Sequence, residues 1–123
     1  MKPAIVFYTD SLIPANRDGV SFAVVIFIRP AKRDDRGLLE HEYQHSRMFW
    51  RSLGISAIRY VLSKASKFKQ EVECYKVQLK VTSEDRGYTP AQTEALAGIF
   101  AGFISTRYGL AVTKEDALKA LLT

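Results

Sequence analysis

The chain has 123 residues, of which 47% are hydrophobic and 25% are charged, and its formal net charge is +5. This size and composition predict one globular domain, residues 1–123, and argue against a solenoid or a pair of domains joined by a linker. The chain has one cysteine and no apolar run long enough for a signal-peptide core or a membrane span, so we expect a cytoplasmic protein without disulfides or membrane-spanning segments.

Two apolar segments near the N-terminus predict β-strands. Residues 4–8 form a short run, and the run from Val20 to Ile28 is longer and made mostly of β-branched and aromatic residues. This second run is almost continuously apolar, which is typical of a strand covered on both faces. The segment between them contains Pro14 and Gly19 and predicts a loop. The two strands are therefore expected to pair as an N-terminal antiparallel hairpin.

The rest of the chain predicts helices. Asp34 or Asp35 can cap a helix that runs to about Leu53, where Gly54 is a typical stop. Residues 55–64 suit either a helix or a strand. Further helices are predicted over residues 67–80, about 90–108 and about 114–122. The fold class is therefore α+β, with a small N-terminal antiparallel sheet packed on a bundle of four or five helices.

The helix predicted over residues 90–108 contains Gly98 and Gly102 beside Ala97 and Ala101. Small residues four apart also occur in membrane dimers, but this segment is too short and too polar at its ends for that. We expect instead that the helix packs closely against a neighbour in the core.

Between Arg47 and Lys80 the sequence contains eight basic residues and only two acidic ones, Glu71 and Glu73. Such a surface suits a nucleic acid or an acidic partner. The basic residues are spread out, however, and no cluster with interleaved aromatic residues marks a nucleic-acid module. A solvated helix face is the favoured interpretation, and nucleic-acid binding stays an open alternative.

Residues 41–45 read His-Glu-Tyr-Gln-His, and these are the only two histidines of the chain. On a helix, His41 and His45 lie one turn apart on the same face and can bind one metal ion, with Glu42 beside them. Leu38 and Phe49 share that face, so the three polar side chains are expected to point inward. Two neutral imidazoles suit Zn²⁺.

A catalytic zinc needs a third protein ligand and an open fourth position. Because no third histidine exists, the ligand is expected to be a carboxylate, with Cys74 as a less favoured alternative. In the helix over residues 67–80, Glu71 falls about 60 degrees from the apolar stripe, Cys74 about 120 degrees and Glu73 about 140 degrees. We therefore expect Glu71 to complete the site, with Glu73 as the fallback.

This arrangement predicts hydrolysis of a peptide bond. Zinc lowers the pKa of its bound water, and Glu42 is placed to accept the proton and deliver it to the leaving amine. Tyr75 lies one turn after Glu71, where its phenol would support a ligand or a developing oxyanion, or would be an ordinary core tyrosine. Two other interpretations stay open: a non-catalytic zinc-binding and protein-interaction module, and a basic binding protein in which the motif is incidental.

Residues 20–80 resemble a minimal zincin of the gluzincin type, with a layout similar to the ImmA/IrrE-like and phage-encoded small metallopeptidases. The resemblance implies zinc ligands at His41, His45 and Glu71, and Glu42 as the general base. It also implies that a peptide or protein substrate pairs with an edge strand, here the run from Val20 to Ile28. The chain departs from that family at Tyr75, where gluzincins usually carry Asp or Asn. The oligomeric state is not encoded in any of these patterns.

Overall fold

The computed structural model describes residues 4–123 and confirms the α+β class, with a three-stranded sheet followed by helices. The strands are β1 (Ile5–Tyr8), β2 (Gly19–Phe22) and β3 (Val25–Ile28), and a 3₁₀ turn, Pro30–Lys32, leads to the first helix. The helices are α1 (Arg36–Arg51), α2 (Ile55–Leu62), α3 (Lys64–Arg86), α4 (Pro90–Arg107) and α5 (Lys114–Leu122).

The sheet differs from the predicted hairpin. The run from Val20 to Ile28 is two strands rather than one, because Ala23 adopts a left-handed φ of 55° and the chain reverses within two residues. The antiparallel hairpin is therefore β2 with β3, whereas β1 pairs with β3 in parallel. Strand order is β1-β3-β2, so β3 is central and β2 lies at an edge. In β3 only Ile26 and Ile28 are buried, so this strand is not fully covered on both faces.

Local capping explains where the helices begin and end. The Asp35 carboxylate accepts a hydrogen bond from the Leu38 amide at 2.9 Å and starts α1. Gly54, at φ 89°, separates α1 from α2. Residues 55–62 are helical, Ser63 is extended, and Lys64 already belongs to α3. Ser63 caps α3, which runs on to Gly87 and is longer than predicted at both ends because no residue before Gly87 breaks it. Helices α4 and α5 begin at the Thr89 and Thr113 caps.

The core has two parts. Side chains of α3, α4 and α5 form the larger cluster, and Tyr43 of α1 packs against Ile26 and Ile28 of β3 in the smaller one. Helix α4 packs against α3 and α5 as expected, but Gly98 and Gly102 do not form this contact, because a Cβ added at either position would meet no atom within 4 Å. The buried positions of α4 include their neighbours, Ala97 and Ala101. Within residues 4–123, none of the helices has the length and apolar character needed to cross a bilayer.

Candidate metal centre

Helix α1 brings the two histidines and the glutamate of the motif to its inner side. His41 and Glu42 are only 3% and 5% exposed, and His45 keeps partial access to solvent. The two imidazole rings are 5.4 Å apart between centroids. The Oε1 atom of Glu42 lies 3.8 Å from His41 Nε2, so the carboxylate is close to the histidine nitrogen without being bound to it. One turn of regular helix is sufficient to produce this arrangement.

Helix α3 brings Glu71 directly to these histidines. Its carboxylate is almost completely buried, with Oε1 at 3.3 Å from His41 Nε2 and Oε2 at 3.1 Å from His45 Nε2. Glu73, two residues later, is exposed and lines a separate shallow groove with Arg51. The structure therefore brings Glu71 into the group and leaves Glu73 outside it.

Cys74 was expected to point away from the site, and this expectation is wrong. The residue is fully buried, and its sulfur and one nitrogen each of His41 and His45 lie within 4.8 Å of one another. The physical reason is that α3 packs against α1 on one side and α4 on the other, so its buried arc is wider than the apolar stripe indicates. Burial raises the pKa of the Cys74 thiol to about 11.

The electrostatics favour a positive charge between Glu71 and His45. Burial alone would raise the pKa of the Glu71 carboxyl, but attraction to the two histidines, whose Nε2 atoms lie 3.1 and 3.3 Å from its oxygens, lowers this pKa well below its ordinary value. Burial likewise disfavours a charged His45, yet Cys74 and Glu71 raise the pKa of this imidazole well above its usual range. A metal ion that replaced the His45 proton would be attracted by the Glu71 carboxylate in the same way, since a histidine ligand must be neutral.

The donor set fits a metal ion. Within the described residues, Glu71 Oε1 and His41 Nδ1 are buried side-chain atoms without a well-aligned hydrogen bond. A buried carboxylate oxygen is ordinarily satisfied, and an unsatisfied one costs free energy. Here the unsatisfied oxygen lies beside the Nε2 atom of His41, so a cation bound by the carboxylate and the imidazoles would satisfy it.

Tyr60, on α2, belongs to the same group, although the sequence alone does not identify it. Its hydroxyl donates a 2.6 Å hydrogen bond to Glu71 Oε2, and its ring packs edge-on against His45 with centroids 5.7 Å apart. Burial raises the pKa of this phenol far above its usual value, with Glu71 adding to the effect, so the hydroxyl stays protonated and donates. Helical periodicity would have pointed away from Tyr60, because Tyr60 lies roughly opposite the apolar Ile58 and Leu62, which are themselves exposed.

Tyr75 is buried beside His41 rather than hydrogen-bonded to Glu71. The two rings meet edge-on with centroids 4.3 Å apart, and the Tyr75 hydroxyl pairs with the Tyr108 hydroxyl at 2.9 Å. Burial raises the pKa of Tyr75 well above its usual range. This tyrosine therefore fixes the position of the His41 ring by packing.

A cleft of about 480 Å³ lies over this group, and its inner wall is formed by His41, Glu42, His45, Tyr60, Glu71 and Tyr75. Strand β2 borders one side, and residues of α2 and of the end of α4 border the others. At its start β2 runs close to the glutamate, since a Cβ added at Gly19 would lie 3.6 Å from Glu42 Cγ. A ligand in the cleft would thus contact both the candidate metal ligands and an edge strand.

No protein-family model matches the chain, and no curated protein or solved structure is significantly similar to it.

Proposed function

We propose that the protein is a zinc-dependent peptidase, a minimal zincin of the gluzincin type. The observation that carries this proposal is the convergence of His41, His45 and Glu71 inside a cleft, with Glu42 next to them. Two imidazoles and one carboxylate are a donor set found at catalytic zinc sites, where a fourth position stays open for water or substrate. A reducing, cytoplasmic location is part of the proposal and agrees with the free thiol of Cys74.

His41, His45 and Glu71 would hold the metal, and zinc bound there would supply the Lewis acidity that polarises a scissile carbonyl and activates a water. The chain's own residues supply the proton transfers. Glu42 accepts the proton of the attacking water and delivers it to the nitrogen of the leaving amine. Its burial and its place beside His41 keep the carboxylate close to the reacting atoms.

Two tyrosines support this arrangement. Tyr60 orients the Glu71 carboxylate through its hydroxyl, and Tyr75 holds the His41 ring by edge-on packing. Residues that orient metal ligands are as important to such sites as the ligands themselves. In this proposal Tyr75 replaces by packing the Asp or Asn that gluzincins usually carry at its position.

A peptide substrate would bind in extended form along β2. Strand β3 is central and is paired on both sides, whereas β2 is paired on one side in the described sheet. The segment proposed to pair with the substrate is therefore Gly19–Phe22 and not the whole run of residues 20–28. Gly19–Phe22 also lines the cleft. Main-chain pairing there would place a substrate backbone beside Glu42.

The decisive experiment compares Glu42→Gln with Glu40→Gln in zinc-loaded protein incubated with a mixed peptide library. Glu40 is a neighbouring glutamate of α1 that pairs with Arg47 at 2.8 Å. We expect Glu42→Gln to keep its zinc and to lose cleavage by about 10²- to 10⁴-fold, while Glu40→Gln keeps both. Unchanged cleavage by Glu42→Gln would rule out the proposed mechanism.

The second candidate is a non-catalytic zinc-binding module with a degenerate zincin site, and Cys74 is the observation that favours it. With this thiol close to both histidines, His41, His45, Glu71 and Cys74 would make four protein ligands. Structural zinc sites are closed in this way and leave no position for water. Such a site would need no base at Glu42.

Cys74→Ser distinguishes the two candidates. If the protein is a peptidase with an open zinc site, the variant should keep its zinc. The cobalt-substituted wild-type protein should then lack a thiolate-to-cobalt charge-transfer band. If Cys74 closes the site as a fourth ligand, the wild type should show this charge-transfer band and Cys74→Ser should bind metal weakly.

A further inference from the structure

The cleft contains two arginines that the metal-binding group does not use. Arg17 precedes β2 and Arg107 ends α4, and both line the cleft. The Arg17 guanidinium lies 4.6 Å from the centre of the Tyr108 ring, and the Arg107 guanidinium lies 3.6 Å from the centre of the Phe103 ring. Within the described residues, neither guanidinium has a carboxylate within 4 Å.

Ring contacts place both guanidinium groups close to the metal-binding histidines. Phe103 and Tyr108 each lie 6.4 Å from Tyr75 between centroids, and Tyr75 lies 4.3 Å from His41. These steps bound the separation of either guanidinium from the His41 ring at about 15 Å, the length of roughly four residues of extended chain. Each guanidinium is therefore within reach of an extended substrate of four or more residues at the metal site.

Both guanidinium groups lie over aromatic rings. A guanidinium that contacts a ring through its face keeps its N–H groups at the edge, where they match a carboxylate in bidentate fashion. Arg17 Nε is buried and has no hydrogen-bond partner among the described residues, so the protein itself does not fully satisfy this side chain. Asp18 also lines the cleft but forms no ion pair with either arginine.

The loop that carries Arg17 is held in place. The Arg29 side chain donates hydrogen bonds to the Arg17 and Pro14 carbonyl oxygens at 2.9 and 3.0 Å, and pairs with the Asp10 carboxylate at 3.2 Å. The Arg29 side chain, which directly follows β3, thus connects the two ends of the loop formed by residues 10–17. This fixed backbone lowers the conformational cost of binding a ligand through Arg17.

From this geometry we infer that the cleft selects substrates with a carboxylate within about four residues of the bond that is cleaved, and that Arg17 and Arg107 supply the positive charge that attracts this carboxylate. The inference rests on the proposed peptidase function and names the substrate class of the same cleft. An acidic side chain and the C-terminal carboxylate of a peptide offer the same chemistry, so the experiment below compares the two.

The experiment uses zinc-loaded full-length protein and two mixed dodecapeptide libraries, one with a free C-terminal carboxylate and one amidated. Cleavage products are sequenced by mass spectrometry, and peptides retained by the non-cleaving Glu42→Gln protein are sequenced in parallel. The variants are Arg17→Gln and Arg107→Gln. Arg33→Gln is the matched control, because Arg33 also stacks on a tyrosine, at 4.4 Å from the Tyr8 ring, but lies outside the cleft.

We expect acidic residues, or the free C-terminus, to be enriched about tenfold or more at one fixed distance from the cleaved bond. Each cleft variant should lose most of this enrichment, and Arg33→Gln should keep it. Enrichment that is lost on amidation identifies the C-terminal carboxylate, and enrichment that survives identifies an acidic side chain; both results support the inference.

Other results contradict the inference and separate it from the proposed function. Cleavage by the wild type without acidic enrichment overturns the inference and leaves the peptidase proposal intact. Acidic peptides retained by Glu42→Gln, together with no cleavage by the wild type, support the carboxylate site and contradict the peptidase. Enrichment that is spread over all positions, and that Arg33→Gln reduces equally, would reflect the net charge of +5 and also overturns the inference.

Discussion

Glu71 and Glu73 lie on the same helix two positions apart, but their surroundings are opposite. Glu71 is 1% exposed and contacts both histidines, whereas Glu73 is exposed to solvent. We therefore predict that Glu71→Gln weakens zinc binding by more than about 100-fold, beyond the loss typical of residues that only orient ligands. Glu73→Gln should bind zinc like the wild type.

Zinc titration with a competing chelator measures the zinc dissociation constants of the two variants. Circular dichroism of the zinc-free proteins shows whether each variant is folded. A folded Glu73→Gln protein that loses zinc, next to a Glu71→Gln protein that keeps it, would contradict the assignment.

The Tyr60 hydroxyl is expected to act on zinc through Glu71. Removing it in Tyr60→Phe leaves the ring in contact with His45 but takes away the 2.6 Å hydrogen bond to the carboxylate. Because loss of an orienting hydrogen bond typically costs 10- to 100-fold in metal affinity, we predict a loss of about tenfold or more. Tyr8→Phe, which removes a hydroxyl remote from the cleft, is the control. Equal zinc affinities for the two variants would show that Tyr60 does not orient the ligand.

At the residue level, the sequence predicts the side of the helix on which a residue lies better than it predicts the neighbours of that residue. Helical periodicity alone puts His41, His45 and Glu42 on one face and separates Glu71 from Glu73. It fails for Cys74, because the width of a buried arc depends on how many elements pack around the helix. It also fails for Tyr60, whose partner is 11 positions away on another helix.

The contact of α1 with α3 holds the two halves of the site together, and Gly37 lies within this contact. A Cβ added at Gly37 would overlap Thr82 Oγ1 and lie 3.1 Å from the Gln78 carbonyl oxygen. We therefore predict that Gly37→Ala destabilises the fold by about 1–3 kcal/mol, since overpacking forces neighbouring groups to shift. Urea denaturation followed by circular dichroism measures this change in the free energy of unfolding.

Gly98→Ala is the matched control for this substitution. Gly98 also lies in a helix, but its added Cβ would meet no atom within 4 Å. Alanine there should stabilise the protein by roughly 0.5–1 kcal/mol, because glycine loses more backbone entropy on folding. If Gly37→Ala stabilised the protein as much as Gly98→Ala, this result would contradict the close approach of α1 and α3 at Gly37.

At the level of elements, the helices were predictable because their caps are local, whereas the strand pairing was not. Asp35 and Thr89 are recognisable from short patterns, and both cap the helices that they predict. Strand register depends on contacts between distant segments. The apolar run from Val20 to Ile28 contains no Gly, Pro, Asn or Asp to mark its turn, so the reversal at Ala23 has no conventional signal.

The proposed metal site lies between the two core clusters. The histidines come from α1, which packs on the sheet, and Glu71 comes from α3, which packs on α4 and α5. A metal ion bound by both helices would therefore connect the two core clusters. It follows that zinc should stabilise the global fold and not only the cleft.

We predict this stabilisation quantitatively. At a free zinc concentration 100-fold above the dissociation constant, binding to the folded state adds about 2.7 kcal/mol, which raises the Tm of a domain of this size by roughly 10 °C. Scanning calorimetry with and without zinc measures the shift. Mg²⁺ at the same concentration should have little effect, because it prefers oxygen ligands and retains its waters. Glu71→Gln should abolish the zinc shift, whereas Glu42→Gln should keep it, since Glu42 lies beside the ligands and does not bind the metal. A zinc shift that survives in Glu71→Gln would mean that the ion binds the two helices through other side chains.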